Sequence, residues 1–186
     1  GVGGLDPQPA SVWPQAAKYE VPVIAFVNKM DRSGADFYDV VRRITEELGA
    51  NAVPVVLPVG QADKFAGLID LVENKEILFE EKGGRIHFES HEIPVGLQDE
   101  ARHWRKNLIE KVSESDESLL EKFVAGEEPS PAEIRAVLRK GCISRSIVPV
   151  LCGSAVRNIG IQMLLDGVVD YLPAPKVEDG GKLAAL

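Results

Sequence analysis

The sequence is short of cysteine, of long apolar runs and of positive charge, and each shortage removes a class of protein. Cys142 and Cys152 are the two cysteines among 186 residues and form no C-x-x-C pair, so a structural disulfide is not expected. With no signal-peptide pattern, the chain reads as cytoplasmic. No apolar stretch approaches the roughly 20 residues that a membrane-spanning helix needs, which points to a soluble protein without a membrane partner. Lys and Arg number 21 against 29 Asp and Glu, a formal net charge of −8 with a pI near 5.0. Affinity for nucleic-acid backbones comes mainly from Lys and Arg neutralising phosphates, so no direct nucleic-acid binding is expected and any macromolecular partner should be a protein. The sequence also contains no G-x-x-x-x-G-K-[ST] phosphate loop.

What remains, 45% hydrophobic residues in a chain of this length, suffices for one sizeable core with or without a satellite. After Gly1-Val2-Gly3-Gly4, Asp6-Pro7 opens a helix with Val12, Trp13, Ala16 and Ala17 at helical spacing. Val21 to Val27 follows as a nearly continuous apolar run, the pattern of a strand buried on both faces of a parallel sheet. Phe37, Val40, Val41, Ile44 and Leu48 then trace an amphipathic helix, with Asp36 as N-cap and Gly49 as stop. The pattern changes at about residue 50. Val53 to Val59, Leu68 to Val72, Glu76 to Glu81 and Arg85 to Ser90 are short strand-like runs broken by turn residues, including Gly83-Gly84.

A long helix is predicted from about Leu97 to Val112, then a shorter one carrying Leu119, Leu120, Phe123 and Val124. Ser130-Pro131-Ala132-Glu133 is a capping box that opens a third. At Ile147 the first pattern returns: an apolar run to Cys152, a loop, and a helix with Ile161, Leu164, Leu165, Val168 and Leu172 on one stripe. The fold class is therefore α/β, a doubly wound sheet in residues 1–49 and 147–175 interrupted by an inserted α+β subdomain of residues 50–146. Residues 176–186 are small and featureless and read as a tail left over from cloning.

Ligands of open parallel sheets bind beyond the carboxyl ends of the strands, which directs attention to Asn28-Lys29-Met30-Asp31 and Gly153-Ser154-Ala155. A carboxylate such as Asp31 can accept both the N1-H and the exocyclic amine of guanine, a pair that adenine lacks. A mismatched base leaves a charged acceptor unsatisfied, so the contact discriminates strongly. Asn28 can bridge base and loop, the Lys29 stem can cover the ring face, and the Ala155 N–H can donate to guanine O6. Either motif alone also reads as a turn that caps the next helix. It is the pairing, each after a buried strand and before an amphipathic helix, that singles them out.

Phe26 to Arg32, Leu48-Gly49-Ala50-Asn51, and Cys152-Gly153-Ser154-Ala155 running to Tyr171-Leu172-Pro173 together resemble elongation factor G, over about residues 1–175. The resemblance implies that Asn28, Lys29 and Asp31 match the Asn-Lys-x-Asp guanine motif and that Ser154 and Ala155 match the Ser-Ala motif. It implies a parent GTPase that binds GTP or GDP with Mg²⁺ and promotes movement of tRNA and mRNA on the ribosome. A ribosome-protection factor or a related release factor is the alternative within that framework. The middle region resembles the family's insert, which implies contact with the acidic ribosomal stalk protein. Arg102, Arg105 and Lys106 suit that partner by charge, although mixed charge on a helix is also ordinary solvated surface. A pure interaction module built on the insert is the rival from another class.

The phosphate loop and the switch segments of that family have no match here, so an excised piece without hydrolytic activity, and without bound nucleotide, is expected. A sheet lacking its N-terminal strands would leave open edges, which invites a non-native dimer. His87 and His91 do not share one helical face, so no metal pair is expected, and no catalytic dyad is visible.

Overall fold

The computed structural model describes residues 7–83 and 85–174. The opening glycines with Asp6, Gly84 of the expected turn, and the 176–186 tail lie outside the described residues. The elements run α1 (Pro7–Lys18), β1 (Ala25–Val27), α2 (Phe37–Leu48), β2 (Ala52–Pro54), β3 (Val56–Val59), β4 (Gly67–Asp70), β5 (Lys75–Lys82) and β6 (Arg85–His91). They continue with α3 (Val95–Ser113), α4 (Glu117–Ala125), α5 (Pro131–Ile143), β7 (Val148–Cys152) and α6 (Ile161–Tyr171). The strands form a three-stranded parallel sheet in the order β1-β7-β2 and a four-stranded antiparallel sheet in the order β3-β4-β5-β6. A mixed α/β architecture with an inserted subdomain is what the sequence patterns predict.

Strand β7 lies between two parallel neighbours and is buried at all five positions, as its unbroken apolar run requires. The apolar run before Asn28 behaves differently. Of Val21 to Val27, Ala25–Val27 pair, and of those three Val27 alone is buried. The reason is position: β1 is at the sheet edge and meets β7 on one side. Helix α2 matches its pattern closely. The Asp36 side chain accepts the Asp39 N–H at 3.0 Å, Gly49 takes the left-handed conformation at φ 63°, and Phe37, Val40, Val41 and Ile44 are buried.

The predicted Val53 to Val59 strand is in fact two strands in two sheets. Ala52–Pro54 pairs with β7, whereas Val56–Val59 pairs antiparallel with β4. Val55 joins them: its N–H donates to the Val150 carbonyl at 3.0 Å and its carbonyl accepts the Leu71 N–H at 3.0 Å. The parallel sheet thus takes one strand, Ala52–Pro54, from the segment that the sequence assigned to the insert. Apolar patterning marks burial without saying which sheet buries it, so the run reads as one strand in sequence and is two in the structure. One hydrophobic cluster runs from Val27 and Val150 through Val55 and Leu68 to Leu108 and Leu138.

The insert's helices are capped as their sequences dictate. Asp116 accepts the Leu119 N–H at the start of α4, and Ser130 and Glu133 form the reciprocal capping box of α5 with Pro131 in its first turn. An ion pair with Lys122, then the Ser130 backbone and hydroxyl, pull the Glu133 carboxyl from 4.5 down to about 2. Because the folded value is depressed, this stabilisation is present above pH 4.5 and is lost as pH falls towards about 2. Thermal melts of Glu133→Gln against the wild type should therefore show a stability gap that narrows over that acid window; a gap that is constant with pH would contradict the assignment.

Candidate functional site

The pairing of Val27 with Cys152 places the loops after β1 and β7 side by side at the carboxyl edge of the sheet. Hydrogen bonds then lace them together. The Gly153 N–H donates to the Val27 carbonyl at 3.0 Å, the Met30 N–H donates to the Gly153 carbonyl at 3.1 Å, and the Ala155 N–H donates to Asn28 Oδ1 at 3.0 Å. Asn28 Oδ1 also accepts the Lys29 N–H at 2.8 Å, which folds the loop back on itself. Lys29 adopts φ 65°, in the left-handed region that costs a non-glycine residue roughly 1–2 kcal/mol. The buried Met30 side chain and the Asn28 bonds hold it there, leaving the Lys29 side chain exposed.

Ser154 is fully buried, and its backbone exchanges hydrogen bonds with Ile159 at 3.0 Å in both directions. Its hydroxyl accepts the Arg157 N–H at 3.2 Å. Asp31 is half-buried beside it. Hydrogen bonding from the Ser154 side chain holds the Asp31 carboxyl below the usual carboxylate range; burial opposes this, and the charges of Arg157 and Arg32 add to it. Asp31 is thus an ionised acceptor at neutral pH, as reading a donor pair on a base requires. The Ala155 N–H, expected to face a base oxygen, is engaged by Asn28, so a ligand oxygen must share or take that donor. All five residues singled out for the base site, Asn28, Lys29, Asp31, Ser154 and Ala155, lie on these two adjoining loops.

The three basic residues of α3 are not one surface. Arg102 and Lys106 are exposed one turn apart, with Arg102 Nη1 bonded to Asp99 Oδ1 at 2.8 Å. Arg105 is 8% exposed and turns inward, where Nη1 donates to the Leu71 carbonyl and, at 2.9 Å, to that of Val72, while Nε donates to Glu128 Oε1 at 2.6 Å. Its inclusion in a docking face is corrected accordingly. The signal was present in the sequence, since Ala101, Arg105, Leu108 and Val112 share one helical stripe.

Both cysteines are buried and free, and burial pushes the Cys152 thiol well above its usual range, as expected of an unreactive sulfur. Among the described residues no three His, Cys, Asp or Glu side chains converge to hold a metal. No helix among them is long and apolar enough to cross a membrane.

A parallel α/β sheet that gathers an Asn-Lys-x-Asp loop and a Ser-Ala loop at one edge, with a subdomain inserted between them, defines a GTPase-type nucleotide-binding domain. The family model of the elongation factor Tu GTP binding domain matches residues 1–174, and the chain belongs to this family of translation-factor-type GTPase domains. A solved crystal structure from Thermus thermophilus is similar to 93% of the chain, with a TM-score of 0.79 and 27% sequence identity. The chain spans 25% of the length of that protein.

Gly153 is closely enclosed by the far end of its own loop and by β1. A Cβ there would overlap the Ile159 carbonyl oxygen and press on the Phe26 ring at 2.8 Å. Gly153→Ala should destabilise the chain by about 1–3 kcal/mol in urea titrations, and it should perturb the NMR amide signals of Met30 and Ala155 most. Shifts no larger there than in α4 would refute the close approach.

Proposed function

We propose that the chain is the guanine-reading portion of a translation elongation factor resembling elongation factor G, whose full-length form couples GTP hydrolysis to movement of tRNA and mRNA on the ribosome in the cytoplasm. One observation carries the reading: interloop hydrogen bonds bring ionised Asp31, Asn28 and the Ala155 N–H to one crevice at the carboxyl edge of the sheet. Asp31 accepts the two donors on the guanine edge, Asn28 aligns the Ala155 N–H with O6, and the Lys29 stem covers the ring. Buried Ser154 favours the ionised form of Asp31.

The phosphates, the Mg²⁺ and the attacking water of the parent GTPase need groups outside these 186 residues, which hold no phosphate-loop motif, so this chain alone does not hydrolyse GTP. Base contacts alone also bind weakly. Hydrogen bonds to Asp31 and from Ala155 supply roughly 4–7 kcal/mol, against an association cost of about 4–15 kcal/mol. Calorimetric titration of GDP should give a dissociation constant of about 1 mM or weaker, selective over ADP and abolished in Asp31→Ala. Micromolar affinity, or binding indifferent to Asp31, would overturn this account of the site.

In the same reading the insert meets the acidic ribosomal stalk protein through the face that carries Arg102 and Lys106. The exposure of both on adjacent turns of α3 supports this. An insert acting as an independent module fits less well, because its core is continuous with that of the parallel sheet. Reversing both charges to Glu should weaken binding to the isolated stalk domain at least about tenfold, or 1.4 kcal/mol. Unchanged affinity removes these two residues from the interface.

A further inference from the structure

The Ser-Ala loop is held from a second side, by a residue outside both guanine motifs. Arg157, two positions beyond Ala155, donates through Nη1 to the Phe65 carbonyl at 2.7 Å, across 92 residues of sequence. Phe65 is a firm anchor. Its side chain is fully buried, and its N–H donates to the Ala62 carbonyl at 3.0 Å, closing the 3₁₀ turn Ala62–Lys64 between β3 and β4. At the other end, the Arg157 N–H donates to the Ser154 hydroxyl, and the Ser154 side chain bears directly on Asp31. Hydrogen bonds thus run from the β3–β4 turn of the inserted subdomain, through Arg157, to Ser154 of the Ser-Ala loop.

We propose that Arg157 is a positioning residue for guanine recognition, tying the Ser154–Ala155 loop to the inserted subdomain. The recognition half of this inference rests on the guanine reading given above. A planar guanidinium suits the task because it stays charged at every working pH, which strengthens its bond to the anchoring carbonyl. The charged groups that act on Asp31 are Arg157, from the β7–α6 loop, and Arg32, from its own. Removing Arg157 leaves Arg32 as the nearby cation and frees the outer half of the loop. The insert is thereby more than a passenger on the domain, since its β3–β4 turn is bonded to the Ser-Ala loop through the Arg157 side chain.

The test uses the whole chain with Arg157→Ala and Arg157→Lys, followed by NMR amide exchange and by titration of the Asp31 carboxyl. Loss of one charge-assisted hydrogen bond should speed exchange at Ser154, Ala155 and Ile159 on the order of tenfold in Arg157→Ala, with the α5 amides unchanged. The Asp31 midpoint should rise in the same variant, and Arg157→Lys, which keeps the cation, should bring it back towards the wild type. Unchanged loop exchange and an unchanged midpoint would overturn the proposal, as would acceleration spread equally over α5, the mark of general destabilisation. Neither measurement involves nucleotide, so they judge the tether even if the wild type fails to bind GDP, a result that would count against the guanine reading instead. Where the wild type does bind, equal GDP affinity in Arg157→Ala would refute the role in recognition.

Discussion

The burial of β7 between two parallel neighbours is the constraint on which the rest of the structure depends. Its five residues are enclosed, and its backbone is paired with β1 on one side and with β2 on the other. Buried backbone groups must find partners, so a strand placed centrally fixes the registers of both neighbours. The register with β1 brings Val27 level with Cys152 and thereby sets the two candidate loops side by side. The register with β2 delivers Val55 to the Val150 carbonyl, where the chain changes sheets.

The inserted subdomain is consequently braced against the parallel sheet at several points. Tyr38 of α2 stacks on Trp104 of α3 with ring centroids 5.3 Å apart, and its hydroxyl donates to Glu100 Oε1 at 2.5 Å. Burial, followed by the bond to Glu100, raises the Tyr38 hydroxyl above its usual range, so it remains a donor at neutral pH. Lys111 Nζ donates to the Ala52 carbonyl at 3.1 Å on the outer strand. With the Arg157 bond to Phe65 at the loop end, these contacts seat the insert from both flanks. The inward-turned Arg105 belongs to the same scheme, because it clips the β4–β5 turn to α3 and to Glu128. A buried cation is tolerated there because two carbonyls and a carboxylate satisfy it.

Much of this was legible along the chain. The caps at Asp36, Gly49 and Ser130 act over a few residues, so local sequence specifies them and the structure reproduces them. The two candidate loops were legible for a related reason: each follows an apolar strand directly, and its residue types carry a definite hydrogen-bonding chemistry. The failures share a different origin. The Val53 to Val59 run is divided between two sheets, and the Val21 to Val27 run is shortened at a sheet edge, because apolarity reports burial and not the partner that provides it. For Arg105, charge is the misleading signal and its place on an apolar stripe the better guide.

By itself, then, the sequence determined the α/β class and the helix limits set by capping, and it singled out the residues of the candidate base site. Those properties depend on side-chain chemistry and on spacing over a few residues. Only the tertiary structure decided that Val55 joins the sheets, that Asn28 engages the Ala155 N–H, that Arg105 is interior and that Arg157 reaches Phe65. Each of these joins residues far apart in the chain, and such contacts are fixed by strand order and register, which no short-range pattern encodes.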